Sequence, residues 1–411
     1  MKKYFFFAVA ALVALTACSK IETVESTQQT LISFSVMNHL QQTKATTGLE
    51  YPKSVPFGTL AWWTNDVWQA AAADQTYVFM DNEKISYNAA TGSDPAMWAP
   101  SVPYYWTKTG YITFASYSPY TQGNTTSTDG FSDVPTYDVT KGFLFPDYTI
   151  VSSTDVDLMY ANLAKDCSKT TNVDGTVVLD NQLDGTSDNG YVGVPTIFNH
   201  ALCQINFAFR AIGRKNPNVE KIVIELTDVD IVNIDNKGSF TQTPAVTTPA
   251  TPRWASDHTA YTDYDFAPSS ALSLELIENT AANIAATNNY TSLGVSRILL
   301  PQALGADDDP TDPTADPIAT TTDQKLVVAY TIKIHYTSAP SDETDPKYWA
   351  SESVTSTVRL NNGTITNWLD NQNITYRISI NPYATDMITF DPAVVAWTDV
   401  YSADVNLNEN D

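Results

Sequence analysis

The sequence predicts an all-β protein built from β-sandwiches, and three observations carry that expectation. Strand-favouring residues are abundant: 22 Tyr, 16 Phe and 9 Trp in 411 residues, with recurring threonine and short β-branched runs. Short segments alternate apolar and polar side chains with the period of two that a half-buried strand requires. Between them lie turn-forming clusters such as TQGNTTSTDG, TQTPAVTTPATP and GADDDPTDPTADP, while amphipathic helical stretches are almost absent. The length and a 43% hydrophobic content suffice for two domains, each with its own core.

In chain order, Lys2 and Lys3 precede the uncharged run YFFFAVAALVALTA, which ends at Ala17 before Cys18. This reads as a secretory signal over residues 1–17, too short to span a bilayer, and LTAC reads as a lipobox. Cys18 is therefore expected to become the acylated N-terminus of a Gram-negative surface lipoprotein, with the lipid as its membrane attachment. SKIETVESTQQ follows as a polar tether. In LISFSVM, Ile32, Phe34 and Val36 alternate with Ser33 and Ser35, a first strand with one buried face. The polar stretch after it offers Lys44, followed by Ala45, to a trypsin-like protease; Lys53 is a competing site.

Further strands are expected around YVFM, YYWTKTGYITFASYSP, IFNHALCQINFAFR, KIVIELTDVDIVNI, SRILLP, KLVVAYTIKIHYT, SVTSTVRL and NITYRISINP, with one short helix near Asn65 to Ala73. A polar stretch, KDCSKTTNVDGTVVLDNQLDGTSDNG, precedes a new apolar series at Ile197 and places a domain boundary near residues 194–200. The organisation is thus a pro-segment over 18–44, a first domain over 45–195 and a second over 196–411.

The net charge of −24 argues against nucleic acid or anionic lipid as a partner. Cys167 and Cys203 could pair in an oxidising compartment or remain two buried thiols. The four histidines, His39, His200, His258 and His335, stand singly, without paired metal-ligand spacing. There is no G-x-S-x-G elbow and no Gly-rich phosphate loop, so no catalytic residue, cofactor or metal is expected. The loop carrying Asp307, Asp308, Asp309, Asp312 and Asp316 is broken by prolines and lacks an EF-hand plan, which favours a solvated surface loop over a calcium site. Trp62, Trp63, Trp68, Trp98 and Trp106 suit either a sandwich core or a sugar-stacking face, with the core preferred.

The order of several segments carries a resemblance. The lipobox, a first strand followed by TKAT, then VPYYW with ITFASYSPY, DVDLMYA, FNHALCQINFAF, KGSF, LLPQ, NITYRISINP and ITFDPAVVAWTDV resemble the fimbrillin-like proteins of Bacteroidales, subunits of type V pili. The resemblance covers essentially the whole chain. It implies two transthyretin-like Greek-key β-sandwich domains in tandem, outer-membrane delivery as a lipoprotein, proteolytic removal of the first strand, and polymerisation with other fimbrial subunits by donor-strand exchange. The residues suit that mechanism. A cut after Lys44 would free the strand bearing Ile32, Phe34 and Val36, and an unpaired sheet edge is a template for another strand. YSADVNL supplies a candidate: Tyr401, Ala403, Val405 and Leu407 share one face, with Val395 and Trp397 at its root. A final strand folded into its own domain is the alternative. The family's cut site is more often an arginine than a lysine. A second functional class stays open, a monomeric surface lipoprotein that binds a glycan or host protein through the aromatic first domain.

Overall fold

The computed structural model describes residues 31–38, 51–92, 96–123, 129–151, 156–171, 177–180, 193–214, 216–242, 251–256, 261–305, 324–336, 349–382, 388–390 and 393–396. As expected, the architecture is all-β. The first eleven strands are β1 (Phe34–Asn38), β2 (Phe57–Thr64), β3 (Val78–Asn88), β4 (Met97–Pro100), β5 (Tyr111–Ser118), β6 (Thr136–Asp138), β7 (Gly142–Thr149), β8 (Met159–Ala161), β9 (Ala164–Thr171), β10 (Val177–Asp180) and β11 (Val194–His200). Then follow β12 (Cys203–Gly213), β13 (Val219–Asp235), β14 (Lys237–Thr241), β15 (Trp254–Ser256), β16 (Tyr261–Asp265), β17 (Leu272–Glu275) and β18 (Ile277–Glu278). After one short helix, α1 (Ala281–Ala285), come β19 (Thr291–Leu299), β20 (Lys325–Tyr336), β21 (Trp349–Arg359), β22 (Gln372–Ile380), β23 (Ile388–Phe390) and β24 (Ala393–Ala396).

Two of these strands, β9 and β10, lie in the stretch that the sequence marks as a polar boundary. The helix expected near Asn65 to Ala73 is reduced to a 3₁₀ turn at Ala72–Gln75. Asp74 accepts from the Gln69 and Ala71 backbone amides there, giving the chain a tight turn in place of a helix.

The first large sheet runs β10-β9-β5-β2-β3-β4-β1-β11-β8, and a further pairing joins its β8 end back to β5, leaving β9 and β10 as a branch. The strands β5, β2, β3, β4, β1, β11 and β8 therefore form a closed ring. Alternation along each strand separates two cores. Phe57 and Ala61 of β2 and Ile112 and Phe114 of β5 belong to the same buried cluster as Ile32, Phe34, Trp98 and Phe198. Leu60, Trp62, Ala115 and Tyr117 face the opposite way and pack with Phe143, Phe145, Phe240 and Trp254 of a covering sheet ordered β15-β14-β7-β6.

The second region is a sandwich of two sheets. One has β12 and β22 at its centre, with β18 and β19 beyond β12 and β23 and β24 beyond β22. The other is ordered β16-β13-β20-β21, with β17 also on β13. Its core includes Phe207, Phe209, Ile224, Leu226, Val328, Tyr330, Trp368 and Tyr376. The chain crosses the expected boundary at residues 195 and 196 inside β11, and β14 and β15, downstream of it, complete the cover of the ring. Cys167 lies buried in the ring core and Cys203 in the sandwich core, so the two do not pair with each other. Burial pushes the Cys203 thiol well up, which keeps it protonated and unreactive.

Candidate functional site

The site rests on how β1 is held. Its alternating pattern turns Ile32 and Phe34 into the ring core, where they are 1% and 4% exposed, and Val36 packs against the same core half-buried. Phe34 meets Phe57 and Phe114 edge-on, with ring centroids 5.6 and 5.7 Å apart. Such edge-to-face packing adds specificity to the burial.

The backbone pairing is lopsided. On one side β1 runs parallel to β11 in continuous register from Phe34 with Val194 to Asn38 with Phe198. On the other it meets β4 at one register pair, Phe34 with Trp98. The Ile32 amide donating to Tyr104 O at 2.8 Å and a bridge between Leu31 and Tyr105 extend that side. β1 thus closes the ring between β4 and β11. Parallel pairing requires a long crossover, here the strands β2 to β10. Lifting β1 out would open the ring at one place and expose the facing edges of β4 and β11 above an apolar floor of Phe57, Trp98, Phe114 and Phe198.

Two residues that the sequence did not single out shape this groove. Tyr51 is 3% exposed, stacks on Phe198 at 5.1 Å, meets Trp98 at 5.3 Å and shares a 2.6 Å hydrogen bond with Ser118 Oγ. A lone tyrosine before a proline shows no periodicity that could have marked it. At Gly193 a Cβ would fall 2.9 Å from the Phe34 carbonyl carbon, so only glycine admits β1 at this distance. Tyr104 supports the opposite side. Its hydroxyl donates to Glu83 at 2.7 Å, and burial, then that carboxylate, push it up to about 12.

The other expected site residues, Cys18, Lys44, Ala45, Tyr401, Ala403, Val405 and Leu407, lie outside the described residues, as do Trp397, His39, His258 and the acidic loop at 307–316. Trp62, Trp68, Trp98 and Trp106 are buried in the first region, and half-buried Trp63 donates from Nε1 to Thr109 O at 2.9 Å. His200 sits on buried Asp157, with Nδ1 2.9 Å from Oδ2, and His335 lies 3.1 Å from Glu220. Asp228, Asp230 and Asp265 bring carboxylate oxygens within 4.8 Å of one another. Burial, then the neighbouring carboxylates, raise Asp230.

A fimbrial protein from Bacteroides vulgatus superposes with a TM-score of 0.51 at 16% identity, over 90% of this chain and 99% of that one, a likeness of fold. A protein with a proposed cell-adhesion role from Parabacteroides distasonis aligns with a TM-score of 0.44 at 10% identity, over 90% of this chain and 100% of that one. No curated protein matches the chain. A family model described as fimbrillin-like matches residues 62–397, from the ring's second strand to just past the last described strand, and the chain belongs to that family.

Proposed function

We propose that this fimbrial subunit is delivered to the outer membrane as a lipoprotein through Cys18, trimmed after Lys44 by a trypsin-like protease, and polymerised by donor-strand exchange into an adhesive fibre. The observation that carries the reading is the place of β1: a single strand near the N-terminus completes the ring between β4 and β11. Once it leaves, backbone donors and acceptors of both neighbours and an apolar floor await another strand, the arrangement used in β-strand addition. The alternating face of Tyr401, Ala403, Val405 and Leu407 matches the side-chain spacing of Ile32, Phe34 and Val36. A donor from one chain and a groove on the next form a heterologous contact that propagates as an open filament. Trimming makes Cys18 a delivery handle that leaves with β1.

The position of Tyr51 favours Lys44 over Lys53 as the cut site. A cut after Lys53 would remove the ring that stacks on Phe198 and lies against Trp98, along with β1. A cut after Lys44 keeps that floor intact.

The test is to treat the lipid-free chain with a trypsin-like protease, identify the new N-terminal residue and follow assembly. Ala45 as the first residue, release of the segment with Ile32 and Phe34, and ladders that vanish when residues after Trp397 are deleted are the expected results. A cut chain that stays monomeric overturns the reading.

A further inference from the structure

The ring has two unlike ends. At the end where β1 finishes, Asn38 pairs with Phe198, and β11 passes within a few residues into Ala201, Leu202 and the first strand of the second sandwich. At the opposite, outer end lie the start of β1, the end of β2, the start of β3 and the loop after β4. Bonds and ring contacts gather these segments: Leu31 bridges Tyr105, Trp63 takes a backbone bond from its amide to Tyr77 O and meets the Tyr77 ring at 5.7 Å, and Phe79 meets Tyr104 at 5.6 Å.

This outer end is where large apolar side chains face solvent. Of the ten exposed large apolar side chains among the described residues, five lie on these segments: Leu31, Tyr77, Val78, Val102 and Tyr105. Tyr77, Val78 and Val102 are 62%, 59% and 62% exposed. Scattered exposed apolar residues need no account, whereas a gathering of them marks a contact surface.

We infer that the outer end of the ring is the seat for the second sandwich of the next copy of this chain. The inference rests on the donor-strand reading and adds the direction of the donor and the surface its body covers. A strand that refills the groove parallel to β11, as β1 does, enters at the Leu31 and Tyr105 end and finishes near Phe198. The donor follows the second sandwich in its own chain, so that sandwich stands before the donor's first residue, over the outer end. A reversed donor would place that body at the Phe198 end, in the space of the acceptor's own second sandwich. The root of the donor also brings an apolar group: Val394 of β24, three residues before Trp397, is 45% exposed. The full chain carries a formal charge of −24, so net charge repels one copy from another and apolar contact is what favours the seat.

The test uses the full lipid-free chain, cut in place by trypsin, in wild-type form and as Val78→Glu and Val102→Glu. Both positions are exposed, so the substitutions leave the ring intact. A synthetic peptide of residues 397–411 binds cut wild-type and variant chains equally, while filament growth falls about tenfold or more in each variant. A photo-crosslinker at position 102 joins the neighbour's second sandwich. Filaments that grow at the wild-type rate in both variants, or crosslinks to the neighbour's ring, overturn the seat while leaving strand exchange standing. So do variants that assemble normally and lose only attachment to host cells, since the surface then serves another partner. A peptide that fails to bind the cut wild-type chain overturns strand exchange itself, and the seat with it.

Discussion

The ring and the second sandwich each join two strands from distant parts of the chain in a parallel pair of five residues or more, β1 with β11 and β12 with β22, and these two pairs are held very differently. In the sandwich, β12 and β22 keep register from Gln204 with Asn373 to Ala211 with Ile380, and β22 is flanked on its far side by β23 and β24. Ile374, Tyr376, Ile378 and Ile380 of β22 are all 0% exposed. In the ring, β1 has five residues in register with β11 and one register pair with β4. The same type of pairing makes a rib in one region and a seam in the other. On the proposed function, a seam sewn firmly along one side only is the one that leaves without dismantling what it joins.

The largest test of that contrast compares core truncations before and after the cut. Phe34→Ala should cost the first region of the intact chain about 3–5 kcal/mol, the usual loss for a buried phenylalanine. After the cut and release of β1 it should cost nothing. Phe207→Ala, in the sandwich core, should cost the second region a similar amount in both forms. Denaturant unfolding followed by near-ultraviolet circular dichroism and limited proteolysis separates the regions. A Phe34→Ala penalty that survives the cut would mean that β1 stays seated and the contrast fails.

Next in size is the buried bridge between the regions. Arg253, beside β15, donates to the Tyr160 hydroxyl of β8 at 2.7 Å and pairs with Asp370, just before β22, at 3.1 Å, with both side chains of the pair under 10% exposed. Arg253→Ala leaves that carboxylate without its countercharge, a loss of about 3 kcal/mol or more at neutral pH. Burial already raises Asp370 above the ordinary carboxylate range, against the pull of Arg253. A raised carboxylate contributes its stability below the ordinary range and loses it as pH rises through the folded value. Without Arg253 the folded value rises further and the loss grows. The deficit of the variant against wild type should therefore be smaller at pH 4 than at pH 7, and Asp370→Asn added to it should flatten the dependence. A deficit independent of pH would show that the bridge acts by packing alone.

What the sequence made legible follows from the range of each signal. The alternation of Ile32, Phe34 and Val36 is a local signal, and in the structure Ile32 and Phe34 are buried and Val36 half-buried on one face of the first strand. The partner of that strand was not legible, because parallel register with Val194–Phe198 depends on everything folded between them. β9 and β10 were hidden because Lys165, Asp166, Ser168 and Lys169 read as linker, although Cys167 lies in the ring core. Trp62 and its neighbours offered two roles, and burial assigns Trp62, Trp68, Trp98 and Trp106 to the cores. Tyr51 and Gly193 were invisible, since each matters only for what lies across the groove from it.

The finest test bears on the backbone of whatever fills the seam. Gly193→Ala places a methyl 2.9 Å from the Phe34 carbonyl carbon and 3.0 Å from Ser33 O and Ser35 N, all backbone atoms that cannot rotate away. The strand must shift, at a cost of about 1–3 kcal/mol, within the range for forcing atoms into a filled space. Gly213→Ala is the control in the sandwich: its nearest neighbour is Asn381 Oδ1 at 2.9 Å, on a side chain that can turn, so the cost should be well under 1 kcal/mol. In the intact chain Gly193→Ala should speed proteolytic release of β1, because the methyl loosens its seat. In the cut chain the same methyl reports on the donor: if residues 401–407 follow the backbone path of β1, binding of the tail peptide weakens by the same factor. Unchanged peptide affinity would mean that the donor runs along a path displaced from β1, with the β11 edge left partly unpaired.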